Sequence, residues 1–177
     1  MDNKIIGDKN TFAIGYSFVD ANTTEISMYH NNENILEFER DDSLFTTRWN
    51  LDEIAFLLRD FIDNMCDDPY PVEVEGDFAA FKDQNARDYD TDDDDEFDAY
   101  YDKLDDWNLR HRWHPAASGA ILADLYFQQN GNKVEISWNN TDTDDGVRFT
   151  NLEGGFSIDK NIFIDVINTF LGVYAER

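Results

Sequence analysis

Carboxylates are the most abundant chemically active groups in this chain, and they are densest between residues 92 and 106. Asp and Glu number 39 of the 177 residues, against 14 Lys and Arg, which gives a formal net charge of −25. Grouped carboxylates can bind divalent cations, transfer protons in acid–base catalysis or contact a positively charged macromolecule. The candidate binding residues are the carboxylates of this segment and nearby aromatic residues: Asp92, Asp93, Asp94, Asp95, Glu96, Asp98, Tyr100, Asp102, Asp105, Asp106, Trp107 and Trp113.

The spacing of possible ligands does not predict a specific metal site. An EF-hand loop needs Gly at its sixth position and Glu at its twelfth, whereas a loop starting at Asp90 has Asp95 and Tyr101 there. His111 and His114 are spaced as in some transition-metal sites, but no third ligand lies nearby in sequence and arginines adjoin them. We therefore expect no metal and no cofactor, only loose cation binding by the acidic run.

A catalytic nucleophile is not predicted either. The single cysteine, Cys66, is followed by Asp67, and a neighbouring carboxylate raises the pKa of a thiol and lowers its reactivity. No GxSxG, GxxxxGK[ST] or GxGxxG motif occurs. Because carboxylates are so frequent, pairs of them are no argument for acid–base catalysis. The sequence predicts a binding protein, not an enzyme.

The charge of the chain limits its partners. A chain of charge −25 repels nucleic acid and anionic lipid and attracts basic proteins. One cysteine cannot form an intramolecular disulfide, which fits a reducing compartment. The sequence has no apolar run of signal-peptide or membrane-spanning length, so we expect a cytoplasmic protein.

The first third of the chain predicts an antiparallel meander followed by a helix. Apolar or alternating runs at 11–19, 23–29 and 35–40 are separated by turns rich in Asn and Asp. Asn50 then precedes apolar residues at three- and four-residue steps, which predicts a capped helix over 51–65.

All the candidate residues except Trp113 fall in the region of a second predicted helix, within residues 88–110. Aspartates occupy the positions between aromatic and apolar residues that recur at helical spacing, namely Phe97, Tyr100, Tyr101, Leu104 and Trp107. This pattern predicts one aromatic face and one strongly acidic face. The run 92–96 falls in the first turn or in the loop before it, where acids favour the positive end of the helix dipole.

The remaining chain predicts a hairpin, two short strands and a third helix. A strand over 121–127, a turn at Asn130-Gly131 and a return strand over 133–139 form the hairpin. Short strands follow at 147–150 and 155–158, and a helix capped by Asp159 closes the chain. This order predicts a single α+β domain over residues 1–177, an antiparallel sheet of several strands packed by two to three helices.

A basic island, RHRWH at 110–114, directly follows the acidic segment and has two interpretations. Arg110 and Arg112 can neutralise part of the nearby carboxylates, as surface ion pairs do. The island can also belong to a partner-binding edge with Trp107 and Trp113 as anchors, because Trp and Arg are enriched among interface hot spots. The sequence leaves both open.

The stretch WNLRHRWHPAASGAILADLYFQQNGNKVEISWNN, with the acidic segment before it, resembles the immunity proteins of bacterial polymorphic and contact-dependent toxin systems in general style. Those are small, acidic, cytoplasmic α+β proteins that bind a cognate toxin and block it. The resemblance covers about a third of the chain. It implies stoichiometric neutralisation of a basic toxin effector domain.

Three other functions remain as alternatives. A DNA-mimic inhibitor displays carboxylates at phosphate-like spacing along an extended surface, and its target is a DNA-binding enzyme. A small-molecule or peptide sensor of a bacterial defence system, which the same stretch also resembles, requires residues 107–114 to line an apolar pocket. An enzyme requires carboxylates that converge from separate elements.

Overall fold

The computed structural model describes residues 3–113, 120–141 and 146–176, and it confirms the predicted α+β class. The helices are α1 (Leu51–Asn64), α2 (Ala79–Ala86), α3 (Asp94–His111) and α4 (Lys160–Ala175). The strands are β1 (Lys4–Asp8), β2 (Phe12–Phe18), β3 (Thr23–His30), β4 (Glu33–Asn34), β5 (Glu37–Arg40), β6 (Ser43–Thr46), β7 (Arg48–Asn50), β8 (Leu125–Asn130), β9 (Lys133–Asn139), β10 (Val147–Phe149) and β11 (Glu153–Asp159). Within the described ranges, no helix is long and apolar enough to cross a membrane.

The first sheet has the order β1-β2-β3-β4, and β7 also pairs with β3. The predicted turn between β2 and β3 is confirmed, since Asp20 Oδ1 accepts the backbone N–H groups of Asn22 and Thr23, each at 2.8 Å. Asn31 and Asn32, at φ of 50° and 65°, form the two-residue connection from β3 to β4. Asn tolerates this left-handed conformation better than most residues.

The prediction that residues 35–40 form the third strand of the meander was wrong. Residues 37–40 pair with β6 and β10 in a separate three-stranded sheet, and β3 instead takes β7 as a neighbour. Ile35 and Leu36 are buried directly after β4, so the chain enters the core there instead of continuing along β3. Periodicity identified a strand at 37–40, but its partners depend on these tertiary contacts.

Two of the predicted helices frame the main core, and their caps are confirmed. Asn50 Oδ1 accepts the backbone N–H groups of Asp52 at 2.9 Å and Glu53 at 3.2 Å, which starts α1. Asp159 accepts the N–H of Asn161 at 2.8 Å and starts α4. Both helices bury their apolar faces in one cluster that also includes residues of all three sheets. The two helices contact each other, and α4 also contacts β2.

The third sheet, of order β11-β9-β8, separates the main core from α2 and α3. Alternation along β9 directs Val134 and Ile136 into the main core. Glu135 and Ser137, on the opposite face, accept the backbone N–H groups of Ala79 and Ala80 at the start of α2, at 2.8 Å and 3.2 Å. The sequence did not predict α2, whose pattern of apolar residues is weak.

Candidate functional site: the acidic face of α3

Helix α3 has one buried side and one acidic side. Its cap is Asp93, whose Oδ1 accepts the N–H of Glu96 at 3.0 Å. The residues buried toward the fold are Leu104, Trp107, Asn108 and His111. At about 100° per residue, the opposite side carries six exposed aspartates that we call the acidic stripe: Asp94, Asp95, Asp98, Asp102, Asp105 and Asp106.

The acidic stripe is not neutralised by basic residues of the described ranges. None of its six carboxylates forms a salt bridge there. Asp98 and Asp102, and likewise Asp102 and Asp106, stand four residues apart, where like charges repel. The stripe therefore presents a negative field to solvent.

The dimensions of the acidic stripe follow from helix geometry. A rise of about 1.5 Å per residue separates Asp94 from Asp106 by about 18 Å along the axis. Six carboxylates over that length give about one charge per 3–4 Å, close to the roughly 3.4 Å per phosphate of one DNA strand. Leu109 follows the stripe on the same side and is 69% exposed, so an apolar contact point adjoins the charges.

The other predicted acidic residues and Tyr100 lie around the stripe. Asp92 is exposed before the cap, as expected for the loop that precedes the helix. Glu96 accepts a hydrogen bond from the hydroxyl of Tyr89 at 2.7 Å on one flank. Tyr100 is half-buried, stacks on Tyr89 at 3.9 Å between ring centroids and donates its hydroxyl to the carbonyl of Ala86. Tyr100 thus supports the helix from its inner margin.

The prediction that Trp107 and Trp113 are surface anchors was wrong. They are only 1% and 2% exposed, so a partner cannot reach them in this structure. Trp107 stacks on His111 at 4.1 Å, and Trp113 packs against Trp49 at 5.5 Å. The helical spacing that places Trp107 on the aromatic face also buries it under α3.

The arginines of the basic island bind carboxylates outside the acidic segment, so their predicted partners were wrong. Arg110 Nη2 lies 2.8 Å from Asp68, in the chain between α1 and α2. Arg112 donates from Nε and Nη2 to both oxygens of Asp124 just before β8. Burial opposes ionisation of Asp124 more strongly than Arg112 favours it, so the pKa of Asp124 is raised. His114 lies outside the described residues.

Asp83 of α2 connects the elements that position α3. It is 2% exposed and accepts hydrogen bonds from Tyr70, Tyr126 and Asn108, at 3.1, 2.8 and 2.8 Å. Arg87 donates to its second oxygen from Nε and Nη2, at 2.9 and 2.8 Å. Burial alone would raise the pKa of Asp83, but the hydrogen bonds from Asn108 and Arg87 and the charge of Arg87 lower it below the ordinary value.

A polar cavity of about 430 Å³ opens beside this network. Arg87 and Arg112 both line it, each already paired with a carboxylate. Neither Trp107 nor Trp113 contributes to its lining. This cavity is therefore not the apolar, Trp-lined pocket that the sensor alternative requires.

A second polar cluster joins the chain after α1 to the end of α3. His111 is fully buried, its Nδ1 lies 2.9 Å from the carbonyl of Phe127, and its Nε2 lies 2.9 Å from Asp68 Oδ1. Cys66 Sγ is 2.6 Å from the same Asp68 oxygen and 3.6 Å from His111 Nε2. The three ligand atoms lie within 4.8 Å of one another, a grouping that could hold a metal ion.

The expected direction of the Cys66 pKa is confirmed. Burial raises the pKa of this thiol most, and the hydrogen bond and charge of Asp68 raise it further. Burial of Asp68 works against its ionisation, but its hydrogen bonds with Cys66 and His111 and the nearby positive charges lower its pKa. Sequence spacing did not reveal the cluster, because His111 lies more than 40 residues from its partners.

Comparison with known proteins gives no match: no protein-family model, no curated protein and no solved structure is similar to this chain.

Proposed function

We propose that this chain is an acidic binding protein that places the acidic stripe of α3 against a basic protein. The class of function is that of an immunity protein, which neutralises a toxin effector domain by stoichiometric binding. One observation carries the proposal: six exposed carboxylates without a salt bridge among the described residues share one side of a helix whose other side is fixed to the fold.

Electrostatics gives such a surface a specific advantage. Uncompensated charge on one face steers a basic partner into the correct orientation and raises the association rate, most strongly at low salt. The stripe is preorganised, because the Asp93 cap and the Asp83 network hold α3 before any partner arrives. Little conformational entropy is then lost on binding.

Affinity also requires contacts that exclude water. Exposed charges alone contribute little to a complex, whereas apolar side chains that become buried contribute most. Leu109 is an exposed apolar residue on the same side of α3 as the stripe. We assign it the apolar part of the interface, in place of the buried Trp107 and Trp113.

A pair of charge-matched variants tests the proposal. The stripe variant carries Asp98→Asn, Asp102→Asn, Asp105→Asn and Asp106→Asn. The control variant carries Asp41→Asn, Asp42→Asn, Glu73→Gln and Glu75→Gln, four exposed acids outside α3. Both variants remove four negative charges, so the same change in net charge is applied at two different places.

The tagged full-length chain is used to capture basic proteins from its host at low and moderate salt, and the association rate with a purified partner is then measured. We expect the stripe variant to associate about 100-fold more slowly, within the range that electrostatic steering supplies. The control variant should stay near the wild-type rate. An equal loss of association rate in both variants would show that net charge alone causes the effect. A stripe variant that associates as fast as the wild type would refute the proposal.

The charge spacing of the stripe favours a second candidate, a DNA mimic. One carboxylate per 3–4 Å approximates the phosphates of a single DNA strand. The partner would then be a DNA-binding enzyme, and duplex DNA would compete with this chain for it. A partner that is captured equally well in the presence of excess duplex DNA favours the immunity-type inhibitor.

A further inference from the structure

We infer that Cys66, Asp68 and His111 bind a divalent transition-metal ion of the zinc type, which links the chain after α1 to the end of α3. This site uses no residue of the acidic stripe and does not depend on the proposed function. The sequence predicted no metal, because no third ligand for His111 and His114 lies nearby in sequence and arginines adjoin them.

The first indication of a cation is that two hydrogen-bond acceptors, one on His111 and one on Asp68, face each other. The carbonyl of Phe127 can only accept, so His111 Nδ1, at 2.9 Å, carries the hydrogen. In the neutral imidazole, Nε2 then presents a lone pair toward Asp68 Oδ1 at 2.9 Å, and that oxygen is also an acceptor. Two acceptors at this separation need a positive centre between them, either a proton or a metal ion.

The distances and atom types suit a metal ion of the zinc class. Zn–S and Zn–N bonds of about 2.3 and 2.0–2.1 Å at tetrahedral angles place sulfur and nitrogen roughly 3.5 Å apart. The separation between Cys66 Sγ and His111 Nε2 is 3.6 Å. Asp68 Oδ1 is closer to the sulfur, at 2.6 Å, so the carboxylate must move outward by about 1 Å, given the same bond lengths. Asp68 lies outside any helix or strand and is partly exposed, which permits that movement.

Neighbouring groups orient the ligands. The Phe127 carbonyl fixes the ring of His111, and Arg110 holds the second oxygen of Asp68 at 2.8 Å. Such outer contacts are usual around metal-binding histidines and carboxylates. Arg110 is positive and reduces the attraction for a cation, but a thiolate and a carboxylate together balance a divalent ion. Water can supply a fourth ligand, because Cys66 and Asp68 are only partly buried.

The ligand set also selects the metal. Thiolate and imidazole prefer zinc and similar transition-metal ions, whereas the oxygen-only acidic stripe suits Mg²⁺ and Ca²⁺. Binding releases the thiol proton of Cys66 to solvent, so affinity rises with pH. Excess Mg²⁺ therefore occupies the loose carboxylate sites without filling this one.

Calorimetric titration tests the inference on the metal-free full-length chain, with Zn²⁺ added in the presence of excess Mg²⁺. We expect one saturable site per chain. Cys66→Ala should lower the affinity by at least about 100-fold and Asp68→Asn by about 10-fold, in keeping with the effects of altered metal-site shells. The stripe variant is the matched control and should bind Zn²⁺ as the wild type does. Circular dichroism of each variant confirms that it is folded.

Substitution by Co²⁺ provides a readout that identifies the sulfur ligand. The wild type should show thiolate-to-cobalt charge-transfer absorption, and Cys66→Ala should lack it while remaining folded. Absence of a saturable Zn²⁺ site under excess Mg²⁺, or Zn²⁺ binding that Cys66→Ala leaves unchanged, would refute the metal site. A proton alone would then hold His111 against Asp68.

Discussion

Aspartates lie on both sides of α3: those of the acidic stripe on its outer side, and Asp83 of α2 against its inner side. The stripe aspartates are exposed and form no salt bridge among the described residues, whereas Asp83 is buried and accepts bonds from four side chains. A buried carboxylate is tolerated only when its hydrogen bonds and charge are satisfied. Exposed like charges that repel one another do not stabilise the folded chain. Asp83 is therefore tied into the fold, whereas the stripe is left exposed to solvent and available to the partner that we propose.

The largest effect is expected when Asp83 is changed. Asp83→Asn removes the charge that pairs with Arg87 and leaves hydroxyl and amide donors with a poorer acceptor, which should lower the free energy of unfolding by about 3 kcal/mol. Urea unfolding followed by circular dichroism measures it. The matched change Asp102→Asn on the stripe should leave the unfolding midpoint almost unchanged. If Asp83→Asn were as stable as the wild type, apolar contacts alone would position α3.

Acid should affect the carboxylates whose pKa is lowered in the folded chain differently from the one whose pKa is raised. The pKa values of Asp83 and Asp68 are lowered from 3.8 in the folded chain, so their stabilisation is present above that value and is lost as the pH falls below it. The raised pKa of Asp124 acts in the opposite direction, because its protonation favours the folded chain as the pH falls.

We expect the net result to be a fall in the melting temperature of the wild type as the pH drops below about 4. The fall in melting temperature should be smaller in Asp83→Asn, because this variant has already lost one of the two carboxyls whose pKa is lowered. An identical pH profile for wild type and Asp83→Asn would show that the pKa of this carboxyl is the same in the folded and the unfolded chain.

The cap of α3 should have an intermediate effect. Asp93→Ala removes the side chain that accepts the N–H of Glu96, and loss of such a cap costs about 1 kcal/mol. Asp93→Asn retains the acceptor and should recover most of that loss. Chemical unfolding of the three proteins measures both steps. Equal destabilisation by Ala and Asn would point to the charge of Asp93 instead of its hydrogen bond.

The smallest effect on stability should come from the stripe variant. Its free energy of unfolding should equal that of the wild type or slightly exceed it, because repulsion along the helix is removed. Added NaCl should raise the melting temperature of the wild type more than that of the variant, since salt screens the same repulsion. A clear loss of stability in the stripe variant would show that the stripe has a structural role.

Local sequence signals predicted much of the fold and the acidic side of α3. Caps and helical periodicity identified α1 and α4, helical periodicity identified α3, and alternation identified β9. Strand β1 was missed because its residues are mostly exposed and show no clear alternation. The helical spacing of the aspartates predicted that they share one side of α3. The burial of Trp113 and the partners of Arg110, in contrast, depend on residues distant in the chain. The Cys66, Asp68 and His111 cluster required the tertiary structure for the same reason.

The separation of the two sides of α3 has an evolutionary consequence. The six aspartates of the acidic stripe form no salt bridges with the described parts of the fold, so mutations of them need no compensating change elsewhere. Under the proposed function, a lineage can alter the stripe one position at a time and track a changing partner, while the inner side keeps the helix in place. Recognition would then adapt without loss of foldability.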